Sequence, residues 1–255
     1  MADVKDVPGL LRRGQGKLLR VAVEVRNAGG AGDRHRAPGA TGLRALVVAD
    51  VLRRVAEEHR GQAMISLSAP GLSPDQLAAL GLAARALSVP PWEEANGRTD
   101  GRAADIRIGP SPDVRAAGGS DSADAPAELP VGPVEGSAEL PTGADPLVLR
   151  YVLLDAEPEQ PVELTPERLA DASGTLERWR RKVARWAESP SQPVPVALTA
   201  EVRAALAERL GTPAVLAVLR RIEEDAELPD GARFEAFAQF DRALALDLTR
   251  SIGLL

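Results

Sequence analysis

Apolar and polar residues follow two different periodicities in the amino-terminal part of the chain. Residues 17–25, KLLRVAVEV, carry apolar side chains at nearly every second position and are rich in Val, which predicts a buried strand. From Leu43 to Glu58 the apolar residues recur every three or four positions, which predicts a helix with one face in the core. Between the two lies a glycine-rich stretch, and the sequence GATGLRALVVADVLRR (39–54) runs from a glycine turn directly into the helix.

The same alternation of strand and helix continues further along. AMISLS (63–68) predicts a second strand, and ADIRIG (104–109) predicts a third. Between them, a helix is predicted to begin after Ser73, whose side chain can cap it, with Pro74 at its first position. Strands that alternate with helices are typical of a parallel sheet, so we expect a Rossmann-like sheet domain in residues 1–109.

The composition changes after this part of the chain. Pro, Gly, Ser, Ala and acidic residues dominate residues 110–143, and no aromatic residue is present there. Such a stretch buries too little apolar surface to order itself, so we expect a disordered linker. Residues 144–255 then show helical periodicity, with the longest predicted helix starting at Pro166 after the capping residue Thr165. The expected fold class is therefore α/β plus α, a truncated Rossmann-like parallel sheet domain followed by a helical bundle.

The composition also excludes several kinds of site. The 255 residues include no Cys, which excludes disulfides, thiolate metal ligands and a Cys nucleophile. The formal net charge of −6 is not typical of a bulk nucleic-acid binder, and we expect no DNA partner. No apolar run approaches the ~20 residues of a membrane-spanning helix, and the first residues lack the apolar region of a secretory signal. We therefore expect no membrane partner and a cytoplasmic location.

The helical half carries a specific order of motifs. Residues 145–179 read DPLVLRYVLLDAEPEQPVELTPERLADASGTLERW, and GTPAVLAVL (211–219) and FDRALALDL (240–248) follow. This order resembles the helical domain after the catalytic core of cysteinyl-tRNA synthetases and of the related ligase that joins cysteine to glucosaminyl-inositol in mycothiol synthesis. In the front half, KLLRVAVEV and VVADVLRR lie where that family has its first strand and the helix after its catalytic turn. The resemblance implies a synthetase-type sheet domain and a bundle of the anticodon-binding type.

Three features that this family uses to activate cysteine are missing from the chain. Its His-Ile-Gly-His signature would fall at 39–42, counted back from Asp50 without a gap, and these positions hold Gly-Ala-Thr-Gly. Its Lys-Met-Ser-Lys-Ser loop would precede the DPLVLRY motif, yet no lysine lies between Lys17 and Lys182. Its zinc site uses Cys and His ligands, and the chain has no Cys and two His, so we expect no zinc.

These losses favour a catalytically lapsed relative of cysteinyl-tRNA synthetase. We expect a binding or regulatory module whose partner is a nucleotide, a tRNA, a true synthetase or another protein, with ATP as the one cofactor to consider. One alternative is an active ATP-dependent cysteine ligase, acting on a tRNA or a small amine, in which arginines of the 26–44 loop replace the missing groups. Another is a structural module that binds a protein and no small ligand.

The glycine-rich loop 28–42 is the candidate ligand site. Backbone N–H groups where the predicted helix begins can hold a phosphate. The loop lacks the G-x-G-x-x-G spacing, however, so a flexible connection is the favoured interpretation, with Arg44 solvated and His35 an ordinary loop residue. No catalytic residue is assigned. The candidate nucleotide-binding residues are Gly39, Thr41, Gly42, Arg44 and His35.

A basic stretch in the longest predicted helix is a second candidate binding site. In the family the helical domain lies against tRNA, so the resemblance implies an RNA-facing patch on this helix. The favoured interpretation is instead a solvated helix face above a Trp-containing core, as charge runs on amphipathic helices usually are. The residues concerned are Arg178, Arg181, Lys182 and Arg185.

Overall fold

The structure is a computed structural model that describes residues 18–26, 39–94, 104–110, 126–136 and 143–254. The strands in these ranges are β1 (Leu18–Glu24), β2 (Gln62–Ser68), β3 (Glu93–Glu94), β4 (Ile106–Pro110), β5 (Ala127–Val131), β6 (Val134–Gly136) and β7 (Val162–Leu164). The helices are α1 (Ala40–Glu58), α2 (Pro74–Ala86), α3 (Leu147–Leu154), α4 (Pro166–Trp186), α5 (Val196–Ala207), α6 (Thr212–Glu224) and α7 (Asp230–Leu244). Among the helices described, none is both long and apolar enough to cross a membrane.

The front half is built on a parallel sheet of five strands in the order β3-β2-β1-β4-β5. In the register of the sheet, Val21 of β1 lies opposite Ile65 of β2 on one side and Ile106 of β4 on the other. All three side chains are buried, because helix α1 covers this face of the sheet. The predicted α/β fold with a Rossmann-like parallel sheet is therefore confirmed.

Residues 126–136 correct the prediction of a disordered linker over 110–143. Residues 127–131 form β5, which pairs with β4 so that Leu129 lies opposite Ile108, and both side chains are buried. Three apolar residues flanked by Pro and Gly give too weak a pattern to predict a strand. The strand is stabilised by its pairing with β4, which local composition does not reveal. The division of the chain at 109 and 144 stays a prediction.

Helix α1 is buried on more than one face. The sequence predicted an amphipathic helix, but every residue from Gly42 to Leu52 is buried. The sheet covers one side of the helix, and α3, α7 and β6 pack against other parts of it. Arg53 and Arg54 are only 18% and 23% exposed in their side chains and form ion pairs with Asp50.

The rear half is helical, as predicted. Ser73 caps α2 through the backbone N–H of Gln76, and Thr165 caps α4 through that of Arg168, so both predicted caps are confirmed. The rear core is aromatic at its centre, where the Trp179 ring packs edge-on against Phe237 with ring centroids 5.4 Å apart. Strands β6 and β7 form a separate two-stranded parallel sheet that the sequence did not predict.

Candidate functional site

The first turn of α1 lies at the point of the sheet where ligands of α/β proteins usually bind. In the strand order, β2 lies on one side of β1 and β4 on the other, so the chain connections diverge beyond the carboxyl end of β1. Helix α1 begins at Ala40, and Gly39 precedes it as the N-cap without a side-chain cap. The structure thus brings Gly39, Thr41 and Gly42 together here, while His35 lies outside the described residues.

Close packing holds this turn against the end of β1. A Cβ atom on Gly42 would lie 2.5 Å from Cγ1 of Val25, which is closer than carbon atoms approach. Position 42 therefore needs glycine for its size. Next to it, the Thr41 hydroxyl accepts a hydrogen bond from the backbone N–H of Val134, at 2.9 Å from nitrogen to oxygen. Two of the predicted phosphate-binding residues therefore have structural contacts.

Arg44 is fully buried, so the interpretation of this residue as a solvated arginine is wrong. Its guanidinium donates hydrogen bonds to backbone carbonyl oxygens on the two segments that follow β5 and α3. Within the described ranges, the acceptors are the carbonyls of Gly132 at 3.1 Å, Ala156 at 3.3 Å, Glu157 at 2.8 Å and Gln160. Burial lowers the pKa of Arg44 to about 10, so the side chain is still charged at neutral pH. The hydrogen bonds of Arg44 thus connect both segments to the start of α1.

The second half of α1 carries a buried charge network that sequence reasoning missed. Arg150 of α3 donates to the Asp50 carboxylate at 2.7 Å, and both side chains are fully buried. Arg150 also donates to the carbonyl oxygens of Leu87 and Leu244, each at 2.6 Å. One arginine therefore joins α1, the end of α2 and the end of α7. The detectable signal was a charged residue in the middle of each of two apolar helices.

The Asp50 carboxylate keeps its charge because three arginines surround it. Burial by itself would raise the pKa of Asp50, but Arg150, Arg54 and Arg53 outweigh burial and hold the pKa below its usual range. For Arg150, burial is the largest influence and lowers the pKa, although Asp50 opposes it. The lowered pKa favours the charged form of Asp50, and the hydrogen bonds that Asp50 accepts from its three arginines connect α1 to α3.

The predicted RNA-facing patch on α4 is divided in two. Arg178 and Lys182 both pair with the Glu223 carboxylate, at 2.8 and 2.9 Å, and the Trp179 ring nitrogen donates to the same carboxylate. Burial would raise the pKa of Glu223, but these donors lower it below its usual value. Arg181 and Arg185 are exposed. Half of the patch therefore serves a contact between α4 and α6.

A metal site would need several acidic or imidazole side chains close together. In the part of the chain that the structure describes, no three His, Cys, Asp or Glu side chains form a group that could hold a metal ion.

Comparison with known proteins gives the sequence relatives of this chain. No family model matches it. Curated L-cysteine:1D-myo-inositol 2-amino-2-deoxy-alpha-D-glucopyranoside ligases are similar to parts of it. The Thermobispora bispora ligase is 40% identical over 82 residues, which are 32% of this chain and 19% of the ligase. The Streptomyces griseus ligase is 43% identical over 79 residues, 31% of this chain and 18% of the ligase.

A third relative agrees with these two. The Thermomonospora curvata ligase is 37% identical over 91 residues, which are 36% of this chain and 21% of the ligase. The chain thus spans about a fifth of the length of the curated relatives it matches. The expected resemblance to the mycothiol cysteine ligase is confirmed over about a third of this chain.

Proposed function

We propose that this protein keeps the framework of a cysteine-activating enzyme but acts by binding and does not activate cysteine. The observation that carries this proposal is the first turn of α1. Gly42 packs against Val25, Thr41 binds the backbone of Val134, and Arg44 binds carbonyl groups. A turn built from such contacts joins parts of the fold, and none of its side chains resembles the imidazoles of the family signature.

The chemistry of adenylate formation supports the same conclusion. Negative charge develops on the α-phosphoryl group as the carboxylate attacks and pyrophosphate leaves, and aligned donors must stabilise that charge. Removing one such donor typically lowers the rate by ~10²–10³. The family's histidines and its lysine loop have no counterpart in this sequence, and Arg44 already donates to carbonyl oxygens.

The contacts on α4 bear on the kind of partner. Glu223 pairs with both Arg178 and Lys182, so its one negative charge cancels one of the four positive charges of the predicted patch. Three remaining charges provide only modest attraction for a tRNA backbone, because nucleic-acid affinity grows with the number of phosphate contacts. A protein or a small molecule is therefore the favoured partner, and a cytoplasmic location stays part of the proposal.

One observation favours a second candidate, in which the turn still binds a nucleotide. Arg44 is a buried cation whose acceptors in the described residues are all backbone carbonyls, with no carboxylate among them. Its charge adds to the partial positive charge that the amino-terminal end of α1 carries. Both would attract a phosphate group placed beside the first turn.

Two measurements on the same preparation separate these functions. Pyrophosphate exchange with ATP and cysteine reports adenylate formation, with a curated cysteine ligase as the positive control. Calorimetric titration with a non-hydrolysable cysteinyl-adenylate analogue, and with ATP in parallel, reports binding. We expect no exchange above background. Exchange would overturn the proposal in favour of an active ligase.

The titration then decides between the two binding functions. Saturable binding without exchange would support the second candidate. In that case Arg44→Met should weaken binding, whereas Arg185→Met, which removes an exposed arginine far along the sequence, should leave it unchanged. Absence of binding would support a partner that binds elsewhere on the protein.

A further inference from the structure

A pocket lies at the opposite end of α1 from the first turn. It is a trough between α5 and α7, closed at one end by the last residues of α1, and its volume is about 460 Å³. This is within the range of small-molecule sites, which is roughly 300–1,000 Å³. The lining residues on α5 run from Thr199 to Leu206 and those on α7 from Glu235 to Ala243. At about 1.5 Å per residue, the trough is roughly 10–12 Å long.

The floor of this trough is apolar and its rim is charged. Val202 and Leu206 of α5, together with Phe240 and Ala243 of α7, are at most 4% exposed and form the floor. The charged lining residues, by contrast, lie at the solvent-facing rim. A site of this kind takes a ligand with an apolar group flanked by charged groups.

The charges at the two ends of the trough differ in sign. At the end closed by α1, Glu58 interacts electrostatically with His59, Arg242 and Arg203. Two arginines and one carboxylate leave this end of the trough with a positive excess. His59 itself is held by a 2.8 Å hydrogen bond from its Nδ1 to the Val55 carbonyl, which can only accept.

The far end of the trough carries a negative charge. Glu235 lies seven residues before Arg242 on α7, and Gln239 lies between them at helical spacing, so all three share one face of the helix. Glu235 accepts a hydrogen bond from the Ser191 hydroxyl at 2.6 Å. The carboxylate and the guanidinium are thus attached to the helix about 10 Å apart along its axis.

We propose that this trough binds a short peptide of two or three residues with free termini and an apolar side chain. Its ammonium group would lie at Glu235, its carboxylate at Arg203 and Arg242, and its side chain on the floor formed with Phe240. The length of the trough favours a peptide over a free amino acid. Three extended residues span about 10 Å, whereas the two charged groups of one amino acid are much closer together. This site is independent of the first turn of α1.

The experiment is calorimetric titration of the full chain with Ala-Leu-Ala. The same peptide acetylated at its amino end, the peptide amidated at its carboxyl end, and free leucine are titrated in parallel. We expect saturable binding of Ala-Leu-Ala and at least about tenfold weaker binding of each blocked peptide, since each loses a charged hydrogen bond. Leucine should bind at least as weakly as the blocked peptides.

Variants assign each end of the peptide to its residues. Glu235→Gln keeps an acceptor for Ser191 and should bind Ala-Leu-Ala and the acetylated peptide with equal affinity. The double variant of Arg203→Gln and Arg242→Gln should likewise bind the free and amidated peptides equally. Arg185→Gln on α4 is the matched control and should behave as the original protein. Circular dichroism confirms that each variant is folded.

Three outcomes would overturn the proposal. They are no saturable binding at millimolar peptide, equal binding of free and blocked peptides by the original protein, and binding of leucine as tight as that of Ala-Leu-Ala. None of these outcomes affects the pyrophosphate-exchange result, so a failure here is distinguishable from a failure of the proposed function.

Discussion

Helix α1 is held in two different ways along its length. Its first turn is held by close packing of Gly42 on Val25 and by hydrogen bonds to backbone groups. Its second half is held by charge, because the buried Asp50 carboxylate binds arginines from α1 itself and Arg150 from α3. The resemblance would place the family signature in the first turn, and the second half is where the two resembling motifs meet.

This contrast shows how the two motifs of the resemblance are connected in the structure. VVADVLRR contributes Asp50 and DPLVLRY contributes Arg150, so the two motifs of the resemblance are joined by one ion pair. That pair positions the sheet against the helices, which is a structural requirement whether or not the protein is an enzyme. The first turn makes packing and hydrogen-bond contacts through Gly42 and Thr41.

The largest loss of stability is expected from Arg150→Met. The change leaves Asp50 with Arg53 and Arg54 only, and removes the donor from the carbonyls of Leu87 and Leu244. Breaking a buried ion pair from one side typically costs about 3–5 kcal/mol in the free energy of unfolding. Urea denaturation measures that loss.

Arg185→Met is the control for this experiment. Arg185 is an exposed arginine on α4, and its replacement should change the stability by less than about 0.5 kcal/mol. A loss below about 1 kcal/mol for Arg150→Met would show that the charge network does not hold the second half of α1.

A smaller effect is expected from Gly42→Ala in the first turn. The new methyl group would overlap Val25, and overpacking of this kind typically costs about 1–3 kcal/mol. Because Val25→Ala removes the overlapping methyl groups, the double variant should be more stable than the sum of the two single changes predicts, by about 1 kcal/mol. Urea denaturation of all three variants gives the coupling free energy between the two substitutions.

Gly174→Ala provides the matched control in α4. A Cβ at Gly174 meets no atom within 4 Å, so alanine at this exposed position should stabilise α4 by about 0.5–1 kcal/mol. If Gly42→Ala were equally well tolerated, close packing would not be what holds the first turn.

The smallest effect is expected from Thr41→Val. The substitution keeps the shape of the side chain but removes the acceptor of the Val134 N–H, which should cost about 1 kcal/mol. Hydrogen exchange at the Val134 amide should become faster. Thr41→Ser keeps the hydroxyl and should leave that exchange rate nearly unchanged, and equal rates in the two variants would contradict the assigned hydrogen bond.

Local patterns were enough to predict many elements of the fold. Alternation predicted β1 and β2, three- and four-residue spacing predicted α1, and Ser73 and Thr165 marked the start of their helices. Strand β5 was missed, since its burial depends on pairing with β4.

The sequence by itself determined which chemical groups this protein has. It fixes the absence of Cys, the residues Gly-Ala-Thr-Gly at 39–42 and the lack of lysine between Lys17 and Lys182. It also carried the resemblance, because the order of motifs along a chain is a property of the sequence alone.

Only the tertiary structure decided what the charged residues of α1 do. Asp50 and Arg150 are 100 positions apart, and Arg44 binds carbonyls 88 to 116 positions away. Helical periodicity indicates which face of a helix a residue lies on, but it does not indicate which distant segment of the chain covers that face. Arg44 was therefore interpreted as solvated from the sequence, although the fold buries it and supplies its hydrogen-bond acceptors.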